Sequence, residues 1–362
     1  MRKKRPFFHT ILFVAVLSSL NFLLTPSGRG EPKSGVVRFM VMVDGPYREE
    51  HFPIIRRELV EMSSEVDFVV HAGDILKHEC SAERLSKSAQ LFQFSQAPFF
   101  VLIGDNEYNG CICPDDSLRN WRSTFSRFRE NWKGQDNVSY QQGRPENAFF
   151  AREKILFVFL SIQGAHEFSR VESDRRMGAN LLWLRHGIES HQDTVDAIVV
   201  FGHGGLLRST NKRYSAQFAK VFESARKPAF YFHGSIEGIR ADRHLLLLEK
   251  NYLGVSNLTR VGVEQAGEVP SLLVAISTGE SVKIALNRRR LQYPTQNKRD
   301  RRTGDDTSLL SISLVHQYEY WVWVVKSEVS VFLKCNMPWL YRFLTGKQTC
   351  SALICNGVLP TL

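Results

Sequence analysis

The chain has 362 residues, of which 43% are hydrophobic and 23% charged, with a formal net charge of +10. Such a chain is long enough for one large or two small domains and apolar enough for a sizeable core, which excludes global disorder. Residues 1–30 carry +5 and residues 287–302 carry +6, leaving −1 for everything else, so the folded part has no broad basic face and nucleic acid is not an expected partner.

In chain order, Arg2, Lys3, Lys4 and Arg5 precede an apolar run, Phe7–Leu24, and then a helix-breaking stretch, Thr25–Gly30. A basic flank and apolar core of this kind read as a signal peptide, or as a signal anchor if uncleaved. The expected location is outside the cell or in the endomembrane lumen, with membrane contact only through residues 1–30. Export permits disulfides among the six cysteines. It also makes the sequons at Asn137 and Asn257 glycosylation candidates.

Residues 36–43, 66–70 and 98–103 are short apolar runs that read as strands, separated by helical spacing at 51–62 and 82–94. Further strands are expected at 155–162, 196–202 and 228–233, with helices at about 175–190 and 214–226. Continuous apolar strands alternating with helices are the pattern of a buried parallel sheet. Four short β-like runs between 243 and 286 are expected to form an antiparallel portion. Residues 287–307 read as a basic, disordered linker, and residues 308–362 form a tail of no evident role.

The first three strands each end on an acidic residue, Asp44, Asp74 and Asp105. In an open α/β sheet, ligands bind outside the carboxyl ends of the strands. Carboxylates gathered there repel one another unless a cation sits between them, and oxygen and nitrogen ligands suit divalent metals. One such Asp is usually a cap or turn former. Three at equivalent positions point to a site. His203 and His233 end later strands at the same expected edge and are candidates to line it.

These motifs resemble the calcineurin-like metallophosphoesterases. Asp44, Gly73-Asp74 and Gly104-Asp105-Asn106-Glu107 stand where that superfamily carries D-x-H, G-D-x-x-D/N and G-N-H-D/E. Val43-Asp44-Gly45-Pro46-Tyr47 and Gly104–Cys111 are closer still to a subset with G-D-T-P-Y and G-D-N-E-W-T-D-C. His71 within Phe68–Asp74, the Cys80-Ser81 pair and Asn257–Val261 also look like that subset.

The resemblance covers residues 36–286 and implies an α/β fold of mixed sheets flanked by helices, an αββα sandwich. It implies two divalent ions, with Mn, Fe, Zn and Mg not distinguished, and a small phosphorylated substrate. Asp44 would hold one ion, Asp74 would bridge both, Asp105 would replace the usual Asn ligand, and His203 would be the fourth-motif ligand. Asn106, Glu107 and His203 would be the catalytic candidates, and His71, His233 and Ser235 would line the site. The implied activity is hydrolysis of a phosphate mono- or diester.

Three departures matter. Pro46 stands in place of the His of D-x-H, and Asn106 in place of the His that protonates the leaving group. The fifth motif reads Gly234-Ser235-Ile236-Glu237, where Glu237 can supply an oxygen ligand and Ser235 is a poor one. The alternative expectation is therefore a weakened or inactive member of the fold that serves as a binding or structural module. Cys80 and Cys111 lie on loops leaving adjacent strands at one edge, so a Cys80–Cys111 disulfide is expected, with Cys113 the alternative partner.

Overall fold

A computed structural model describes residues 35–77, 80–134, 136–164, 167–234 and 247–287. The N-terminal segment, Ser235, Glu237, and the linker and tail from residue 288 onward lie outside the described residues.

Two β-sheets pack face to face, with helices on both outer faces. The first sheet contains β1 (Val36–Met42), β2 (Phe68–His71), β3 (Phe99–Val101), β11 (Leu272–Ser277) and β12 (Lys283–Asn287), in the order β12-β11-β1-β2-β3. β1, β2 and β3 run parallel, while β11 pairs antiparallel with both β1 and β12. The second sheet contains β4 (Ser139–Gln141), β5 (Arg144–Arg152), β6 (Ile155–Phe159), β7 (Ala197–Gly202), β8 (Ala229–His233), β9 (Leu247–Lys250) and β10 (Leu258–Gly262). Its order is β4-β5-β6-β7-β8-β10-β9, with β6, β7, β8 and β10 parallel.

Alternation along the strands assigns each face. Phe39, Val41, Phe68 and Val70 point into the space between the sheets, where they meet Phe150, Phe157, Phe159, Phe201 and Phe232. Met40, Met42 and Val69 point the other way, onto α1 (His51–Met62) and α2 (Ala82–Phe92). α1 offers Ile55, Leu59 and Met62 at helical spacing, so one stripe covers the sheet. The outer face of the second sheet is covered in the same way by α4 (Arg170–His191) and α5 (Ser215–Ala225).

Three features differ from the sequence expectation. β10 pairs parallel with β8, so only part of the 243–286 segment is antiparallel. α4 begins at Arg170, ahead of the expected start, because Ser169 caps it by accepting from the Glu172 N–H. α3 (Pro114–Phe125) and the β4–β5 hairpin went unread. α3 starts with Pro114 and two first-turn aspartates, which are helix-start signals.

Phe39 is fully buried and ties the sheets together, stacking on Phe68 at 5.1 Å and meeting Phe157, Phe201 and Phe232 edge-on at 5.5–5.7 Å. Phe39→Ala should therefore cost about 3–5 kcal/mol in denaturant unfolding, while Leu182→Ala on the exposed side of α4 should change stability by no more than about 0.5 kcal/mol. Equal effects at the two positions would contradict this packing.

Candidate metal centre

The loops after β1 and β2 are locked to each other at the carboxyl edge of the first sheet. Asp44 N–H donates to Gly73 O, and Gly45 N–H donates to Asp74 O at 2.7 Å. Asp44 and Asp74 both adopt left-handed backbone, with φ of 56° and 57°. Asp tolerates that region better than most residues, and such conformations cluster at functional sites.

His71 is a fully buried crosspiece between these loops. Its Nε2 bonds Gly45 O at 2.7 Å, and its Nδ1 accepts from Gly73 N–H. Burial holds its pKa down to about 3, so it stays neutral and structural. Gly104 is required by close approach: a Cβ there would lie 2.0 Å from Asp74 Oδ1 and 2.3 Å from Asp74 N.

Glu107, a catalytic candidate from the sequence, is placed beneath the ligand loops. Its carboxylate is buried and accepts three backbone N–H groups, from Asp74, Leu76 and Gly104. With its oxygens engaged by the backbone, Glu107 holds the second and third loops together. Burial and the Asp74 charge push its carboxyl up to about 8, against the pull of the N–H donors.

His203, at the end of β7, comes across from the second sheet. It is fully buried, and its Nδ1 lies 3.1 Å from Ala72 O, so that nitrogen carries the proton. Its Nε2 lies 3.1 Å from Asp74 Oδ2 and 3.2 Å from Asp105 Oδ1. In the neutral ring that nitrogen would be a lone pair facing two acceptors, an arrangement that calls for a proton or a cation. Burial opposes a charge on the ring, yet the Asp74 and Asp105 carboxylates outweigh it and hold the imidazole well above its ordinary pKa. A cation between these groups satisfies all of them.

The ligand atoms of Asp44, Asp74 and His203 all lie within 4.8 Å of one another. Ligands about 2.0–2.4 Å from a single ion are at most about 4.8 Å apart, so these side chains fit a divalent ion. Asp105 is held against the same imidazole and accepts from Gly164 N–H at 2.9 Å. Gly164 must lack a side chain, because a Cβ would lie 2.3 Å from Asp105 Oδ1.

The remaining candidates are placed around this cluster. Asn106 donates its backbone N–H to Asp74 Oδ1 at 3.0 Å, and its amide lies 3.5 Å from the Tyr47 hydroxyl. His233 is fully buried with both nitrogens used: Nδ1 bonds Gly234 O, and Nε2 accepts from Arg260 Nε at 2.6 Å. Burial and the Arg260 charge hold its pKa down to about 3.

Sequence reasoning missed Tyr47 and Arg208. The Tyr47 hydroxyl donates to Asp44 Oδ1 at 3.1 Å. Arg208 is partly buried, within the field of Asp105, Asp44 and Asp74. Its only sequence signal is its place five residues after His203.

A disulfide joins Cys80 to Cys111, with Cα atoms 5.9 Å apart, and so clamps the loops that carry Asp74 and Asp105. Closing a loop of this size stabilises by about 3–4 kcal/mol on the chain-entropy account. Cys113 takes no part in this bridge. Of the two sequons, Asn137 is exposed, whereas the Asn257 amide donates to Phe222 O and Lys227 O.

The sequence profile described as calcineurin-like phosphoesterase matches residues 47–234, more than half of the chain. The protein belongs to that family. No curated protein matches it.

Several solved structures are similar in backbone. GAP50, the anchor in the inner membrane complex of Plasmodium, is 10% identical over 70% of this chain and 85% of its own, with a TM-score of 0.45. A 5'-nucleotidase from Candida albicans is 12% identical over 70% of this chain and 52% of its own, with a TM-score of 0.39. A purple acid phosphatase from yellow lupin seeds is 11% identical over 71% of this chain and 52% of its own, with a TM-score of 0.41. The chain thus spans about half the length of the latter two.

The pairing of His233 with Arg260 has a pH signature. A histidine depressed to about 3 binds fewer protons folded than unfolded below its ordinary pKa of 6.5. Its contribution to stability is full above about pH 6.5 and is lost as the pH falls towards 3. Thermal unfolding of the wild type should therefore lose stability more steeply between pH 6.5 and 4.5 than that of His233→Gln. Parallel curves would mean that His233 is not held neutral.

Proposed function

We propose that this protein is a metal-dependent phosphoesterase whose cation is held by Asp44, Asp74 and His203. The observation that carries this reading is the buried Nε2 of His203, aimed between two carboxylates and within ligand span of a third. Membership of the phosphoesterase family supports it. Asp105, beside the same imidazole, would be a further ligand if a second ion binds. A bound divalent cation lowers the pKa of water and polarises phosphoryl oxygens.

The chain's own residues set the rest of the chemistry. Glu107 and His71 fix the backbone that presents the ligands, so these need little reorganisation. Arg208 brings a guanidinium into the field of the three aspartates, suited to a phosphoryl oxygen. Asn106 presents an amide where the family usually has an imidazole. An amide donates a hydrogen bond but gives up no proton at working pH, so the leaving alcohol must be protonated by water. That favours esters of acidic alcohols.

The reading extends to location and organisation. The basic-flanked apolar run Phe7–Leu24 and the Cys80–Cys111 bridge support placement in an oxidising compartment, outside the cell or in the endomembrane lumen. The catalytic domain is assigned to residues 36–286.

With added Mn2+, the purified chain should cleave an aryl phosphate or aryl phosphodiester much faster than the alkyl ester. EDTA and Asp74→Asn should each abolish the activity. Bound Mn2+ without turnover of either ester class would overturn the catalytic reading and leave a cation-binding module.

A further inference from the structure

We infer that Tyr47 is a positioning residue that fixes the carboxylate of Asp44 for cation binding. The inference rests on the phosphoesterase reading above, because it concerns the same cluster.

Pro46 and Asn106 stand where the resemblance to the family leads one to expect histidines, and Tyr47 lies between them. It follows Pro46 in the chain, and its hydroxyl is 3.5 Å from the Asn106 amide nitrogen. That hydroxyl donates to Asp44 Oδ1 at 3.1 Å. One ring therefore reaches both the first and the third ligand loop.

The backbone at Tyr47 is anchored. Tyr47 N–H donates to Nδ1 of His51, the first residue of α1, and the other nitrogen of that ring lies 3.3 Å from Glu268 Oε1. His51 is 1% exposed, so the anchor itself is packed. Against a carboxylate oxygen, which only accepts, the phenol hydroxyl serves Asp44 as the donor.

The consequence lies in Asp44. A carboxylate offers about four lone-pair directions, and a donor on Oδ1 restricts how the group can turn. Asp44 is the most exposed of the three aspartates, so restraint matters most there. A ligand atom of this restrained carboxylate lies within 4.8 Å of those of Asp74 and His203, the other members of the ligand triad. Partners that orient metal ligands in this way typically contribute 10–100-fold to metal affinity.

The test measures Mn2+ binding to the full chain by titration calorimetry, for wild type and Tyr47→Phe, together with the thermal midpoint of each metal-free protein. The Phe ring keeps the packing and removes only the hydroxyl. The inference expects Mn2+ affinity to fall about 10–100-fold while the metal-free midpoint shifts by no more than about 4 °C. Unchanged affinity, with or without a lower midpoint, would overturn it and make Tyr47 merely structural. Failure of the wild type itself to bind Mn2+ would overturn the phosphoesterase reading as well, and that result is distinct from the first.

Discussion

Two buried carboxylates and a buried imidazole facing one another set the constraint on which this structure depends. Asp74, Asp105 and His203 are almost completely withdrawn from water, and the imidazole Nε2 lies 3.1 and 3.2 Å from carboxylate oxygens. Two carboxylates gathered around one buried nitrogen are costly unless a proton or a cation joins them. The fold produces the arrangement because parallel strands of both sheets end at one edge: β1, β2 and β3 deliver the aspartates, and β7 delivers the histidine.

The neighbouring residues act to hold that unfavourable cluster together. Glu107 accepts three backbone N–H groups, His71 ties Gly45 to Gly73, and the Cys80–Cys111 bridge clamps two ligand loops. Gly104 and Gly164 let backbone approach carboxylates closer than any side chain allows. His233, expected from the sequence to line the site, has both ring nitrogens engaged, by Arg260 and Gly234. Site residues therefore divide into a few that face the cation position and more that keep those few in place.

Much of this was legible in the sequence because strand ends and motif order are local properties. The apolar runs ending at Asp44, Asp74, Asp105 and His203 were enough to place these residues at one edge. Tertiary partners were not legible. Nothing in the spacing says that Glu107 would turn inward onto backbone donors, or that Arg260 would reach His233 from the neighbouring strand. Tyr47 was visible only as a motif letter, since its reach to Asp44 depends on the turn through Pro46. The parallel pairing of β10 with β8 was missed because a five-residue strand carries no local sign of the direction of its partner.

The central claim is that this cluster is a cation site, despite the loss of two imidazoles. Elemental analysis of the purified full chain, as isolated and after equilibration with Mn2+ and removal of loosely bound ions, tests it directly. The account predicts at least one tightly held divalent ion per chain, reduced in Asp74→Asn. A folded chain that retains no divalent ion under either condition would contradict it.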